Sequence, residues 1–64
     1  MTQKELSYVE DAIGHENNII KIINVTLSNL EDESLVTFMN EELNIHTSMK
    51  ENLIKHLEEK ANEW

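Results

Sequence analysis

Apolar residues recur through residues 6–30 in steps of three and four. The series is Leu6, Val9, Ile13, Ile20, Ile23, Leu27 and Leu30, with Glu16 in the remaining place. An unbroken a/d heptad of this kind predicts a helix that turns one stripe toward a partner helix. A second stripe runs through Leu35, Phe38, Ile45 and Met49, with Glu42, Asn52 and His56 at its polar places. Between the two stripes, Asn29 suits a left-handed helix end, and Asp32 suits an N-cap followed by Glu33 at the positive end of the helix dipole. The expectation is one domain spanning residues 1–64. Helix 1 covers about 4–28, the turn 29–32 and helix 2 about 33–61. A turn this short folds the helices antiparallel, each about 40 Å long at 1.5 Å per residue.

Each helix also carries an adjoining row. On helix 1 it is Tyr8, Ala12, His15, Ile19 and Ile22; on helix 2 it is Val36, Met39, Leu43, His46, Lys50, Leu53 and Leu57. A hairpin needs one stripe per helix, so two adjoining stripes imply two neighbours for each helix. The expected fold class is therefore all-α. It is an antiparallel two-helix hairpin that pairs with a second hairpin into a four-helix bundle. Its core and dimer interface draw on Ile13, Ile19, Ile20, Ile23, Phe38, Met39, Ile45, Met49 and Leu53.

Length and composition point the same way. A 64-residue chain buries only about 60% of its unfolded surface, and such small folds use disulfides, metals or self-association as supports. There is no Cys, which leaves a metal or oligomerisation. The chain has no Pro and one Gly, which favours long unbroken helices. Thirteen acidic residues against five Lys give a net charge of −8. That field repels phosphate backbones and anionic lipid, so neither nucleic acid nor membrane is an expected partner. No apolar run approaches the roughly 18 residues of a membrane span, and the first residues lack a signal-peptide core. The expected location is intracellular. Trp64, the lone tryptophan, would dock on a neighbour or hang free.

The candidate chemistry lies inside the bundle. Reflection through the turn sets Glu16 level with Thr47 and beside His46, while Glu42 is one helical turn from His46 on the same face. Glu16, Glu42 and His46 are thus candidate ligands for a divalent metal, and two hairpins would supply four Glu and two His. The plainer alternative is a hydrogen-bonded Glu–His pair that sets register and holds no metal. His15 and His56 read as surface residues. No Ser has a general base within reach of sequence argument, so no catalysis is expected.

Several short stretches resemble one family: Lys4-Glu5-Leu6, Tyr8-Val9-Glu10-Asp11, His15-Glu16 with Ile20, Leu30-x-Asp32-x-x-Leu35, His46, and the closing Leu53 and Leu57. Together they are similar to the small spore coat F-type proteins of endospore-forming bacteria. The resemblance implies a ferritin-like helical scaffold and a structural role in the spore coat or in sporulation, with other coat proteins as partners. It implies no catalytic residue. Ferritin-like enzymes bind iron through a helix 1 Glu and a helix 2 Glu-x-x-His. Glu16 and His46 fall on those positions, but Leu43 stands where the second Glu would be. Two functions follow as expectations: a structural, self-assembling coat protein, or a metal-binding ferritin-like protein using Glu16, Glu42 and His46 across a dimer. A third class, the helical hairpins that act on aspartyl-phosphate regulators, would need an Asp after Leu43, where this chain has Asn44.

Overall fold

The computed structural model describes residues 1–61, and Trp64 lies outside them. Two helices are present, α1 over Gln3–Leu27 and α2 over Glu33–Lys60, packed antiparallel against each other. The Cα trace spans 48 × 15 × 11 Å. The described chain is thus a helical hairpin, and none of its helices is long and apolar enough to cross a membrane.

Local chemistry sets the helix ends. α1 begins at Gln3, one residue before the expected Lys4, because Thr2 caps it. The Thr2 hydroxyl accepts from the Glu5 N–H at 3.1 Å, and the Glu5 carboxylate accepts from the Thr2 N–H at 2.8 Å. This reciprocal box satisfies two of the N–H groups that a helix start leaves unpaired. The Thr2 backbone N–H first, and the Thr2 side chain second, hold the Glu5 carboxyl below its usual pKa.

The far end of α1 departs from expectation. Asn29 is not left-handed: no described non-glycine residue has a positive φ. Instead the chain leaves the helix through Ser28, at φ −68° and ψ −12°. The Asn29 N–H donates to Thr26 O at 3.0 Å. Its side-chain amide and the Ser28 hydroxyl both donate to Val25 O, at 2.8 and 2.7 Å. Side chains and a tightened last turn thus cover carbonyls that a left-handed cap would otherwise have served. At α2, Asp32 is the N-cap as expected. Its Oδ1 accepts from the Leu35 N–H at 3.0 Å and from the Ser34 hydroxyl at 2.6 Å. The Ser34 hydroxyl, then the Leu35 N–H, hold the Asp32 carboxyl below its usual pKa.

The seam between the helices uses the long heptad of α1 in full. Every member from Leu6 to Leu30 is at least partly covered, and the best covered are Ile23 and Glu16, at 5% and 8% exposure. On α2 the seam is not the Leu35–Phe38–Ile45–Met49 stripe. Those four remain about half exposed, at 45–51%. The covered row is Val36, Met39, Leu43, His46, Lys50, Leu53 and Leu57. The reason lies at the open end of the hairpin. Leu6 and Val9 of α1 need apolar partners from the last turns of α2. The second row offers Leu53 and Leu57 there, whereas the first offers Asn52 and His56.

The uncovered rows share one side. On both helices each member sits one residue before a seam position: Tyr8 before Val9, Ile22 before Ile23, Phe38 before Met39, Ile45 before His46. One residue back is a rotation of 100° about the helix axis. In an antiparallel pair, the same rotation on both helices leads to the same broad side of the hairpin. One residue forward leads to the opposite side, and there the chain reads Glu10, Asn17, Lys21 and Asn24 on α1 and Asn40, Asn44 and Glu51 on α2. The hairpin has an apolar broad face and a polar one.

Candidate functional site: a histidine between two glutamates

Glu16 occupies the middle of the α1 seam, where the heptad directs its side chain at α2. Seven aliphatic members of the stripe hold that register, so the carboxylate cannot turn to water without moving them. His46 answers it from α2. The Glu16 Oε2 lies 2.6 Å from His46 Nδ1, with both side chains largely covered. A carboxylate only accepts, so Nδ1 carries the hydrogen. This contact meets the cost of placing a carboxylate in the seam, and among the described residues no buried side-chain polar atom lacks a partner.

The other ring nitrogen faces away from the seam. His46 Nε2 stands 3.7 Å from Glu42 Oε2, one turn back along α2, and the Glu42 side chain is about one-third exposed. The imidazole therefore lies between two carboxylates, one in the seam and one in the row of the apolar face. Sequence reasoning named these three residues, and the structure brings them together. Their arrangement differs from three ligands around one point, because the ring separates Glu16 from Glu42. Within the single chain, no group of three His, Cys, Asp or Glu among the described residues is placed to hold a metal ion.

The other candidates fall elsewhere. His15 is exposed. His56 Nδ1 lies 3.7 Å from Glu59 Oε2, but both side chains are more than half exposed, so the pair contributes little. Of the expected interface residues, Ile13, Ile20 and Ile23 of α1 and Met39 and Leu53 of α2 belong to the seam. Ile19 is half-buried beside it, and Phe38, Ile45 and Met49 are on the uncovered face. A shallow groove of about 480 Å³ on the outer side of α1 is lined by Asn18, Lys21, Ile22, Val25 and Thr26. One helix alone forms it, so it has no opposing wall to enclose a ligand.

Sequence reasoning missed the Thr2–Glu5 box, although Thr followed three residues later by Glu is its usual signature. It also placed the wrong α2 row first. The signal available was the apolar Leu53 and Leu57 with which the second row ends, where the first row ends in Asn52 and His56.

These features define a class by geometry, a two-helix antiparallel hairpin with one apolar face and a Glu–His–Glu cluster at mid-height. No known family model, curated protein or solved structure matches the chain.

Proposed function

We propose that this chain is a structural, self-associating protein with no catalytic role, whose working form is two hairpins joined as a four-helix bundle. The observation that carries the proposal is the distribution of uncovered large apolar residues: among the described residues six of seven stand one residue before a seam position, and Val25 alone does not. Tyr8, Ile22, Phe38, Ile45 and Met49 are 45–64% exposed and share one broad face. Single exposed aliphatics are ordinary, but a cluster of them on one face, here broken at mid-height by His15 and Glu42, marks an interaction surface. Ile23, at 5% exposure, is the one hydrophobic residue among those described that is buried, and none is fully buried, so the hairpin by itself has little core.

A second copy is the partner whose shape fits. The broad face measures 48 × 15 Å, about 720 Å² in projection. A stable interface buries roughly 800 Å² per partner. Two such faces laid together would cover these apolar residues and leave the polar faces outside with the chain's acidic surplus. That surplus also limits stacking beyond two copies, because the outward faces repel one another.

The resemblance to small spore coat F-type proteins gives this assembly a setting. We place the protein inside the cell, in the spore coat or among sporulation proteins, as a scaffold component with other coat proteins as partners. The test is fractionation of purified spores and vegetative cells with an antibody to this chain, alongside chemical cross-linking of the purified protein. Enrichment in the coat fraction and a cross-linked pair are expected. A protein confined to vegetative cytoplasm would remove the coat setting, and an absence of cross-linked pairs would remove the assembly.

A further inference from the structure

We propose that Glu42 and His46 are half of a site for a zinc-like divalent ion, and that a second copy of the chain completes it. Glu16 is the group that orients His46. This rests on the paired hairpin proposed above, and it changes the role of Glu16 from ligand to positioning residue.

The geometry of one chain supplies the half-site. Glu16 Oε2, 2.6 Å from Nδ1, takes the ring hydrogen and fixes the plane of the imidazole. Metal-bound histidines commonly donate their second ring N–H to a carboxylate in this way, which selects the tautomer and strengthens the donor nitrogen. The nitrogen left to bind is Nε2. Its neighbour is Glu42 Oε2 at 3.7 Å. Two donors about 2.1 Å from one tetrahedral ion stand about 3.4 Å apart. A few tenths of an ångström of side-chain adjustment closes that difference, and Glu42 is exposed enough to move.

The position in the hairpin explains why a second copy completes the set. The midpoint of α1 is His15 and that of α2 falls between His46 and Thr47. When two full faces are stacked, the middle level meets itself whether the hairpins run parallel or opposed. His46 is a seam residue whose Nε2 turns to Glu42, and Glu42 stands in the row of the apolar face between Phe38 and Ile45, so in a stacked pair both lie toward the axis of the bundle. Two copies therefore bring two imidazole nitrogens and two carboxylates to one level, a His₂Glu₂ set. Without an ion, two Glu42 carboxylates would crowd that level and repel each other. The set differs from a two-metal carboxylate site, which needs Glu-x-x-His and more carboxylates than this level supplies. Imidazole with carboxylate and no thiolate suits zinc, iron(II) or manganese, and disfavours calcium and magnesium.

The experiment uses the untagged full chain, stripped with chelator. Zinc is titrated calorimetrically, cobalt(II) is followed by its visible absorption, and mass is measured by sedimentation with zinc and with chelator. The expected result is one ion per two chains, a tetrahedral cobalt spectrum, and no displacement by excess magnesium or calcium. Glu42→Gln and His46→Gln should abolish the signal. Glu16→Gln, which keeps a partner for His46, should weaken affinity about 10- to 100-fold. His56→Gln should change nothing.

A dimer in chelator that binds no zinc overturns the site and leaves the assembly standing. A monomer in chelator that pairs on adding zinc supports the site and makes the ion the driver of assembly. A monomer under both conditions overturns both proposals. Binding that survives Glu42→Gln and His46→Gln, or that magnesium displaces, overturns the site by placing the ions on the acidic surface.

Discussion

On one broad side of the hairpin lie Phe38, Ile45 and Met49 of α2 with Tyr8 and Ile22 of α1; on the other lie Asn40, Asn44 and Glu51 with Glu10, Asn17 and Asn24. Both sets flank the same seam, and each stands one residue from it. A lone hairpin has no use for this difference, since water meets both sides equally. The polar side shows what the chain looks like where nothing is to be covered. Measured against it, the apolar side is the surface that the proposed pairing would cover. The contrast also explains why the seam is thin. Ile23 and Glu16 are its only buried residues among those described, because the apolar residues are divided between the seam and the open face.

Paired substitutions break this comparison most sharply. Ile45→Asp on the apolar face should weaken association by about 3 kcal/mol or more, since it would bury an unpaired charge. The neighbouring Asn44→Asp on the polar side adds the same charge and should leave the mass in solution unchanged. Sedimentation of the two variants side by side checks the pair; equal effects would erase the distinction between faces. Next in size is Ile23→Ala, which empties the best covered seam position and should cost about 2–3 kcal/mol, the lower part of the range for such truncations because the seam is shallow. Denaturant melts at several protein concentrations should show this loss at every concentration, unlike the loss in Ile45→Asp.

Much of this was legible before any coordinates. The α1 heptad, the Asp32 cap, the hairpin and the meeting of Glu16, His46 and Glu42 all follow from period, capping chemistry and reflection through a short turn. What was not legible was which α2 row faces α1. Both rows are apolar at helical spacing, and a hydrophobic pattern records that a face is to be covered without saying by what. The exit from α1 was missed for a related reason. Asn29 has two uses at a helix end, the left-handed backbone or a side-chain bond to Val25 O, and its sequence position is the same for both. The order within the cluster, with the His46 ring between Glu16 and Glu42, rests on spatial relations that only the folded hairpin supplies.

Smaller effects refine the account. Glu16→Leu should cost about 1–3 kcal/mol by leaving His46 Nδ1 without an acceptor, while Glu16→Gln should cost clearly less. Thermal melts of the two variants decide it, and equal losses would show that the contact matters only as packing. The caps give a pH dependence. Glu5 and Asp32 have lowered pKa values in the fold, so their contribution is present above the usual carboxylate range and is lost as pH falls through the lowered values. Asp32→Ala should lower the melting midpoint by a few degrees at neutral pH and by less in acid, where the carboxylate is already protonated. A pH-independent difference between the two proteins would contradict this. The smallest effect is Gly14→Ala. No atom lies within 4 Å of the added methyl and the site is exposed on the helix, so stability should rise by about 0.5–1 kcal/mol with association unchanged.

The central claim is that the apolar face is covered by a second copy of the same chain. Sedimentation equilibrium of the unmutated protein at micromolar concentration, with helicity followed in the same buffer, tests it most directly. The account predicts a helical species of twice the 7.5 kDa chain mass. A fully helical 7.5 kDa monomer throughout that range, with zinc and with chelator alike, would contradict it.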